Sequence, residues 1–207
     1  MELVGTVSSG LGRAHVFMAQ PHYQEQFREI LGQTAWPGTL NVKIEPNILS
    51  QYIALRQRAG IDTLDAPDQS REDAQHHDVS AYELIRVRGF LRDGVSFGGA
   101  SAFQATITSN DVSVKCALLI PDLTRHVDVI EVISSAFLRE HFDLRDGDEV
   151  TLSLPLVVIT YRKSPNCSPF TVEHGLNLML CSTLPARTAG SLSSSSSRWS
   201  RQRGTVA

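Results

Sequence analysis

Residues 84–120 constrain the fold more than any other stretch of this chain. LIRVRGFL at 84–91, VSFGGASAFQATI at 95–107 and VKCALLI at 114–120 are rich in β-branched and aromatic residues, and turn chemistry separates them. Asp93-Gly94 is a strong two-residue hairpin signal, because the tight turns that suit twisted strands need positive φ. Gly98-Gly99 predicts a bulge or a close approach of two backbones. Strands so short and closely spaced predict a small barrel.

The flanking segments add to this frame. Residues 3–7 and 16–18 are short apolar runs separated by Ser8-Ser9-Gly10-Leu11-Gly12, which reads as strand, glycine loop, strand. PHYQEQFREILG at 21–32 sets Tyr23, Phe27, Ile30 and Leu31 at helical spacing between an initiating proline and a terminating glycine. Trp36-Pro37-Gly38-Thr39 is a turn into a strand whose alternation starts at Leu40 and puts Thr39 and Asn41 on one face. Residues 62–78 hold six acidic side chains and the lone Arg71 with few large apolar groups, which predicts a solvated excursion within a loop or helical insert over 46–82, His76-His77 included. From Asp128 to Phe142, Ile130, Ile133, Phe137 and Leu138 fit a helix, with Asp128 as cap and Glu131 in the first turn. EVTLSL at 149–154 reads as a strand.

A chain of 207 residues has room for one substantial core and appendages. Nineteen basic against 22 acidic residues leave a net charge of -3, without the basic excess that nucleic acid or an anionic membrane would demand. Cys116, Cys167 and Cys181 form no CxxC pair, so neither a disulfide framework nor a zinc site is expected. No leader-like segment and no long apolar run is present, which makes a cytoplasmic protein the expectation. After Glu173 no acidic residue occurs, Ser193 to Ser197 is a homopolymer and the end is arginine-rich. The domain is therefore expected to span 1–154, and 155–207 to be a disordered tail.

Four segments could carry chemistry. Glycines at 10 and 12 would let backbone amides approach phosphate oxygens, although such a loop also serves as a plain turn. Thr39 and Asn41 offer two neutral oxygens, suited to Mg²⁺ already held by phosphates and water, or equally an ordinary polar strand face. Glu131, near Thr124 and His126, could hold or deprotonate a hydroxyl, or simply cap a helix. The stretch Phe137-Leu138-Arg139 is the fourth.

In their order, GTVSSGLGRAHVF, PGTLNVKI, GFLRDGVSFGGASAF, LLIPDLTRH and VIEVISSAFLREHFDLRDGDEV resemble the archaeal-type CTP-dependent riboflavin kinases over residues 2–154, the 46–82 excursion excepted. The resemblance implies a mainly β fold, a six-stranded cradle-loop barrel with peripheral α-helices. It also implies conversion of riboflavin and CTP to FMN and CDP. By the same resemblance the nucleotide loop falls on Gly10, Leu11, Gly12, Arg13, Ala14 and His15, and a second nucleotide segment on Ala136, Phe137, Leu138 and Arg139. The Mg²⁺ ligands fall on Thr39 and Asn41, and flavin contacts on Thr124 and Glu131. The family loop commonly continues Gly-Glu-Gly where this chain has Gly12-Arg13-Ala14, and the Thr124 to Glu131 spacing is one residue shorter than in some relatives.

These expectations describe a Mg-dependent phosphotransferase in which the riboflavin 5′-hydroxyl attacks the γ-phosphate of CTP in line. Glu131 orients that hydroxyl and is the candidate base. Backbone groups of 136–139 would select cytosine. The expected partners are the two small molecules, without nucleic acid or membrane, and the chain acts as a monomer. The alternatives are a barrel that binds flavin or nucleotide without catalysis, and a DNA-binding regulator whose contact comes from the arginine-rich tail.

Overall fold

Nine strands and five helices follow one another along the chain in a computed structural model, which describes residues 1–156 apart from 11, 13 and 125. They are β1 (Glu2–Ser8), α1 (Ala14–Met18), α2 (Pro21–Leu31), β2 (Leu40–Ile44), α3 (Leu49–Arg58), α4 (Asp68–Ala74), β3 (Ile85–Val87), β4 (Phe90–Arg92), β5 (Val95–Phe97), β6 (Ala100–Ser109), β7 (Val112–Pro121), β8 (Val129–Ser134), α5 (Leu138–His141) and β9 (Glu149–Ser153). The expected tail, with Cys167 and Cys181, and the loop residues Leu11 and Arg13 lie outside the described residues.

Six strands close into an antiparallel barrel in the order β6, β7, β8, β2, β1, β9 and back to β6. Closure is made by Ile107 opposite Leu152. The ten residues of β6 serve two partners, because β3 takes its first part, with Ile85 opposite Ala102, and β9 its later part. Strand alternation sends Val7, Val42, Ile130, Leu118, Phe103 and Leu152 into the barrel. Full burial of each such side chain stabilises the fold by about 1.5–3 kcal/mol. Cys116 belongs to this interior, and burial pushes its thiol up to about 12.

The opposite face of the same strands is covered by α2. Pro21 occupies its first turn, Gly32 ends it at φ 80°, and the Gly32 N–H donates to the Arg28 carbonyl. Tyr23, Phe27 and Ile30 pack on Ala100, Ala102, Ala117, Leu119 and Ile133. The three alanines leave the depth a helix needs. The β4–β5 hairpin turns at Asp93 (φ 52°) and Gly94 (φ 76°), as its sequence predicts, and Phe90 stacks on Phe97 across it.

Two expectations are corrected. Residues 16–18 lie in α1 rather than in a strand; a three-residue apolar run has no period of its own, and only Met18 of the three is buried. Residues 128–142 are not one helix. Residues 129–134 form β8, paired with β2 on one side and β7 on the other, and only Leu138–His141 is helical. VIEVI is β-branched at alternate contacts, and two open strand edges complete its ladder. Residues 46–82 carry α3 and α4, and most of 62–78 is exposed. Tyr52, Ile53 and Leu55 join the barrel core, and Ala66 and Ala74 are buried despite the acidic residues around them. The inserted Arg56 is fully buried beside Asp65, and His77 Nε2 lies 2.9 Å from Ser50 Oγ. No helix among the described residues is long and apolar enough to cross a membrane.

Candidate active site

A single row of paired residues crosses the α2-facing side of the barrel. Ser8 stands opposite Asn41, Asn41 opposite Glu131, and Glu131 opposite Leu119. Residues directly paired on neighbouring strands present their side chains to the same face. The row therefore changes along its length from polar to apolar.

A cavity of about 680 Å³ opens over this row, within the range usual for small-molecule sites. Its polar side is Ser9, Gly10 and Gly12 with Ala14 and His15 at the start of α1, where Gly12 adopts φ 65° and the His15 ring lies 2.9 Å from the Gly12 carbonyl. Its apolar side is Phe17, Met18, Tyr23, Phe27, Leu119 and Leu123. The third side is the loop after β7, carrying Thr124 and His126. Here Thr124 Oγ1 accepts from the His126 N–H at 3.4 Å.

Burial pushes the Glu131 carboxyl above the usual carboxylate range, and the nearby His126 opposes that shift. A half-buried carboxyl so raised is closer to the pKa that proton transfer near neutrality requires. Burial also raises Tyr23, helped by the charge of Asp122, and the Tyr23 hydroxyl donates to the Gly98 carbonyl. Arg139 ties the site's floor together. Its guanidinium donates to the Ser8 carbonyl at 3.0 Å and to Asp146 at 2.7 Å. Hydrogen bonds from Ser9 and then Arg139 hold the Asp146 carboxyl low.

Gly10 rests directly on the Asn41 carboxamide. A Cβ at Gly10 would overlap Asn41 Nδ2 but stay 3.8 Å from Oδ1, so the glycine fixes the loop against the nitrogen end of that group. The oxygen is turned away from the loop. Thr39 and Asn41 supply hard, neutral oxygen donors, and Glu131 stands across from Asn41. This donor set fits Mg²⁺ that takes its remaining ligands from phosphate and water. Among the described residues no three His, Cys, Asp or Glu side chains gather to hold a metal alone.

A smaller recess of about 90 Å³ adjoins the cavity. Ala136, Phe137 and Leu138 line it with Trp36, while Gly38, Thr39 and Arg139 line both spaces. Of the residues singled out from sequence, Gly10, Gly12, Ala14, His15, Thr39, Asn41, Thr124, Glu131 and Arg139 thus border one cavity, and 136–138 border its annex.

Sequence reasoning missed the apolar side. Tyr23 and Phe27 read as core residues of an amphipathic helix, and each lies on the boundary between core and cavity. It also missed the clamp beside Gly99, where both Arg86 guanidinium nitrogens donate to the Asp122 carboxylate. Gly98-Gly99 was the one signal of this close approach.

A family model named CTP-dep_RFKase and described as "Domain of unknown function DUF120" matches residues 7–82 and 63–154, the helical insert included. Curated relatives carrying the name Riboflavin kinase include one from Methanocorpusculum labreanum, 36% identical over 151 residues, covering 72% of this chain and 55% of that protein. One from Methanospirillum hungatei is 35% identical over 155 residues, covering 74% and 58%. One from Thermoplasma acidophilum is 31% identical over 152 residues, covering 73% and 56%. The chain spans a little over half the length of these relatives.

Proposed function

The chain belongs to the family described as Domain of unknown function DUF120, whose model bears the name CTP-dep_RFKase, and on that footing we propose that it phosphorylates riboflavin to FMN with CTP as donor and Mg²⁺ as cofactor. The observation that supports this reading is the Ser8, Asn41, Glu131, Leu119 row, in which an amide oxygen stands beside a raised carboxyl and an apolar wall.

Phosphoryl transfer depends on positioning and charge neutralisation more than on covalent chemistry. In this reading the apolar wall of Phe17, Tyr23, Phe27 and Leu119 takes the flavin ring system, and its ribityl chain runs toward Glu131. Glu131 accepts the hydrogen bond of the 5′-hydroxyl, orients it and takes its proton as the oxygen attacks. The amides of the 10–15 loop and the Arg139 guanidinium hold the phosphates of the donor. Mg²⁺ on Thr39 and Asn41 would neutralise charge on those phosphates. The product is FMN, and the leaving group is CDP. Both substrates are small molecules, and in this reading the chain acts as a monomer.

The test is to incubate purified protein with riboflavin, Mg²⁺ and either CTP or ATP, and to separate riboflavin from FMN by chromatography with fluorescence detection. FMN with CTP and little with ATP is the expected outcome. FMN with ATP alone would keep the kinase and replace the donor. Riboflavin bound by folded protein without any FMN would instead identify a flavin-binding barrel.

A further inference from the structure

The turn over 145–148 is fastened to the end of β1 from both sides. The Gly147 N–H donates to the Val7 carbonyl at 2.8 Å, and the Val7 N–H donates to the Asp148 carbonyl at 2.8 Å. Gly147 adopts φ 94°, and the Asp148 carboxylate accepts from the Arg145 N–H at 2.7 Å. At Ser8 the strand ends and the glycine loop begins. Asp146 therefore stands beside the root of that loop, where the Ser9 hydroxyl and backbone N–H hydrogen-bond to its carboxylate.

That carboxylate takes one corner of the Arg139 guanidinium. Arg139 Nη2 donates to Asp146 Oδ1 at 2.7 Å and to the Ser8 carbonyl at 3.0 Å. These two acceptors use both hydrogens of Nη2, and the Nε–Nη1 edge of the fork makes no hydrogen bond to the described residues. Two N–H groups side by side on one edge are the arrangement that suits a phosphate. Arg139 lines both the cavity and the recess, whereas Asp146 borders neither. An arginine clamped beforehand gives up little rotamer freedom when its ligand arrives.

We propose that Asp146 is a positioning residue for the phosphate donor: anchored by Ser9 and the 145–148 turn, it holds the Arg139 guanidinium with its unspent edge open to the donor's phosphates. The proposal rests on the kinase reading above. It also predicts a sign. A carboxylate near bound phosphates repels them, so by charge alone its removal would tighten the donor. Removal of an orienting group loosens the donor instead.

The test compares the parent, Asp146→Ala, Arg139→Ala and the double variant in steady-state FMN formation, varying CTP and riboflavin in turn, or ATP if that is the donor. Asp146→Ala should raise the donor KM by about tenfold and leave the riboflavin KM within about twofold. In the Arg139→Ala background the same replacement should change the donor KM by less than about twofold, because its effect passes through the guanidinium. Asp146→Asn, which keeps an oxygen for Arg139, should recover part of the loss. With 52% of the Asp146 side chain exposed, the Tm of Asp146→Asn should stay within about 2 °C of the parent. A donor KM that is unchanged or lower in Asp146→Ala, or a rise of equal size with and without Arg139, overturns the positioning role and leaves the kinase intact. So does a riboflavin KM that rises as far as the donor KM while Tm falls, which marks a residue of the fold. A parent that binds CTP by calorimetry but makes no FMN overturns the kinase reading alone, and the CTP affinities of the same four proteins then decide the role of Asp146. A parent that binds no nucleotide and makes no FMN overturns both.

Discussion

Asn41 and Glu131 are direct partners across the β2–β8 ladder, with Ser8 on the far side of Asn41 and Leu119 on the far side of Glu131. Ninety residues of sequence separate an amide oxygen from a carboxyl that the register sets side by side. Both rest on strands paired along both edges, the most rigid placement a small barrel offers.

If Glu131 acts as the base, Glu131→Gln should lower turnover by about 10²–10⁴-fold, the usual contribution of a positioned proton acceptor. The riboflavin KM should change far less. Steady-state FMN formation measures both, and a turnover loss under about tenfold would assign Glu131 to orientation alone.

The same substitution should stabilise the protein. Burial raises the Glu131 pKa in the folded state, so folding favours the protonated form, and the ionised carboxylate costs stability as pH rises from the ordinary carboxylate range through the raised value. Glu131→Gln should therefore raise Tm by on the order of 2 °C at neutral pH. That gain should vanish below about pH 4. Thermal unfolding across this pH range, without Mg²⁺ or nucleotide, gives the answer, and a gain that persists in acid would trace to something other than the charge.

Thr39→Ala and Asn41→Ala should each raise the Mg²⁺ concentration needed for half-maximal FMN formation by about tenfold, as loss of one of few protein ligands implies. Gly10→Ala should imitate Asn41→Ala, since its Cβ displaces the Asn41 carboxamide. The side chain it pushes is free to rotate, so the Tm of Gly10→Ala should stay within about 2 °C of the parent. An unchanged Mg²⁺ titration in all three variants removes the cation from this pair.

Gly99→Ala should destabilise the fold by about 1–3 kcal/mol in urea denaturation. A Cβ there would sit 2.6 Å from Arg86 Nη2, 2.8 Å from the Val87 carbonyl and 2.9 Å from Asp122 Oδ2. Backbone on one side and an ion pair on the other leave it nowhere to go. Asp122→Asn, which removes the ion pair without crowding, should cost less than about 1 kcal/mol because the pair is partly exposed.

Much of the barrel was legible because its signals are local. An apolar run marked β1, alternation from Leu40 marked β2, β-rich composition marked β7, Pro21 and Gly32 bracketed α2, and Asp93-Gly94 turned the hairpin. Residues 129–134 were not legible, since Ile130, Ile133, Phe137 and Leu138 satisfy a helical period as well as VIEVI satisfies a strand's. The choice fell to β2 and β7, whose open edges could be completed only by a strand between them. Within the 46–82 insert, Ala66 and Ala74 are buried while most of the acidic residues around them stay exposed, so the composition of 62–78 does not by itself mark where its backbone packs.

By itself the sequence determined the order of the motifs, the glycines at 10 and 12, and the oxygen-bearing side chains of Thr39, Asn41 and Glu131. Only the tertiary structure decided that β6 closes on β9, that Glu131 stands on a strand opposite Asn41, and that Trp36 meets Phe137. Turns and caps depend on the residues within them, whereas strand register and ring stacking depend on which distant segments meet. That meeting is settled by burial of the whole barrel at once, a sum over many partners that no single stretch of the chain contains.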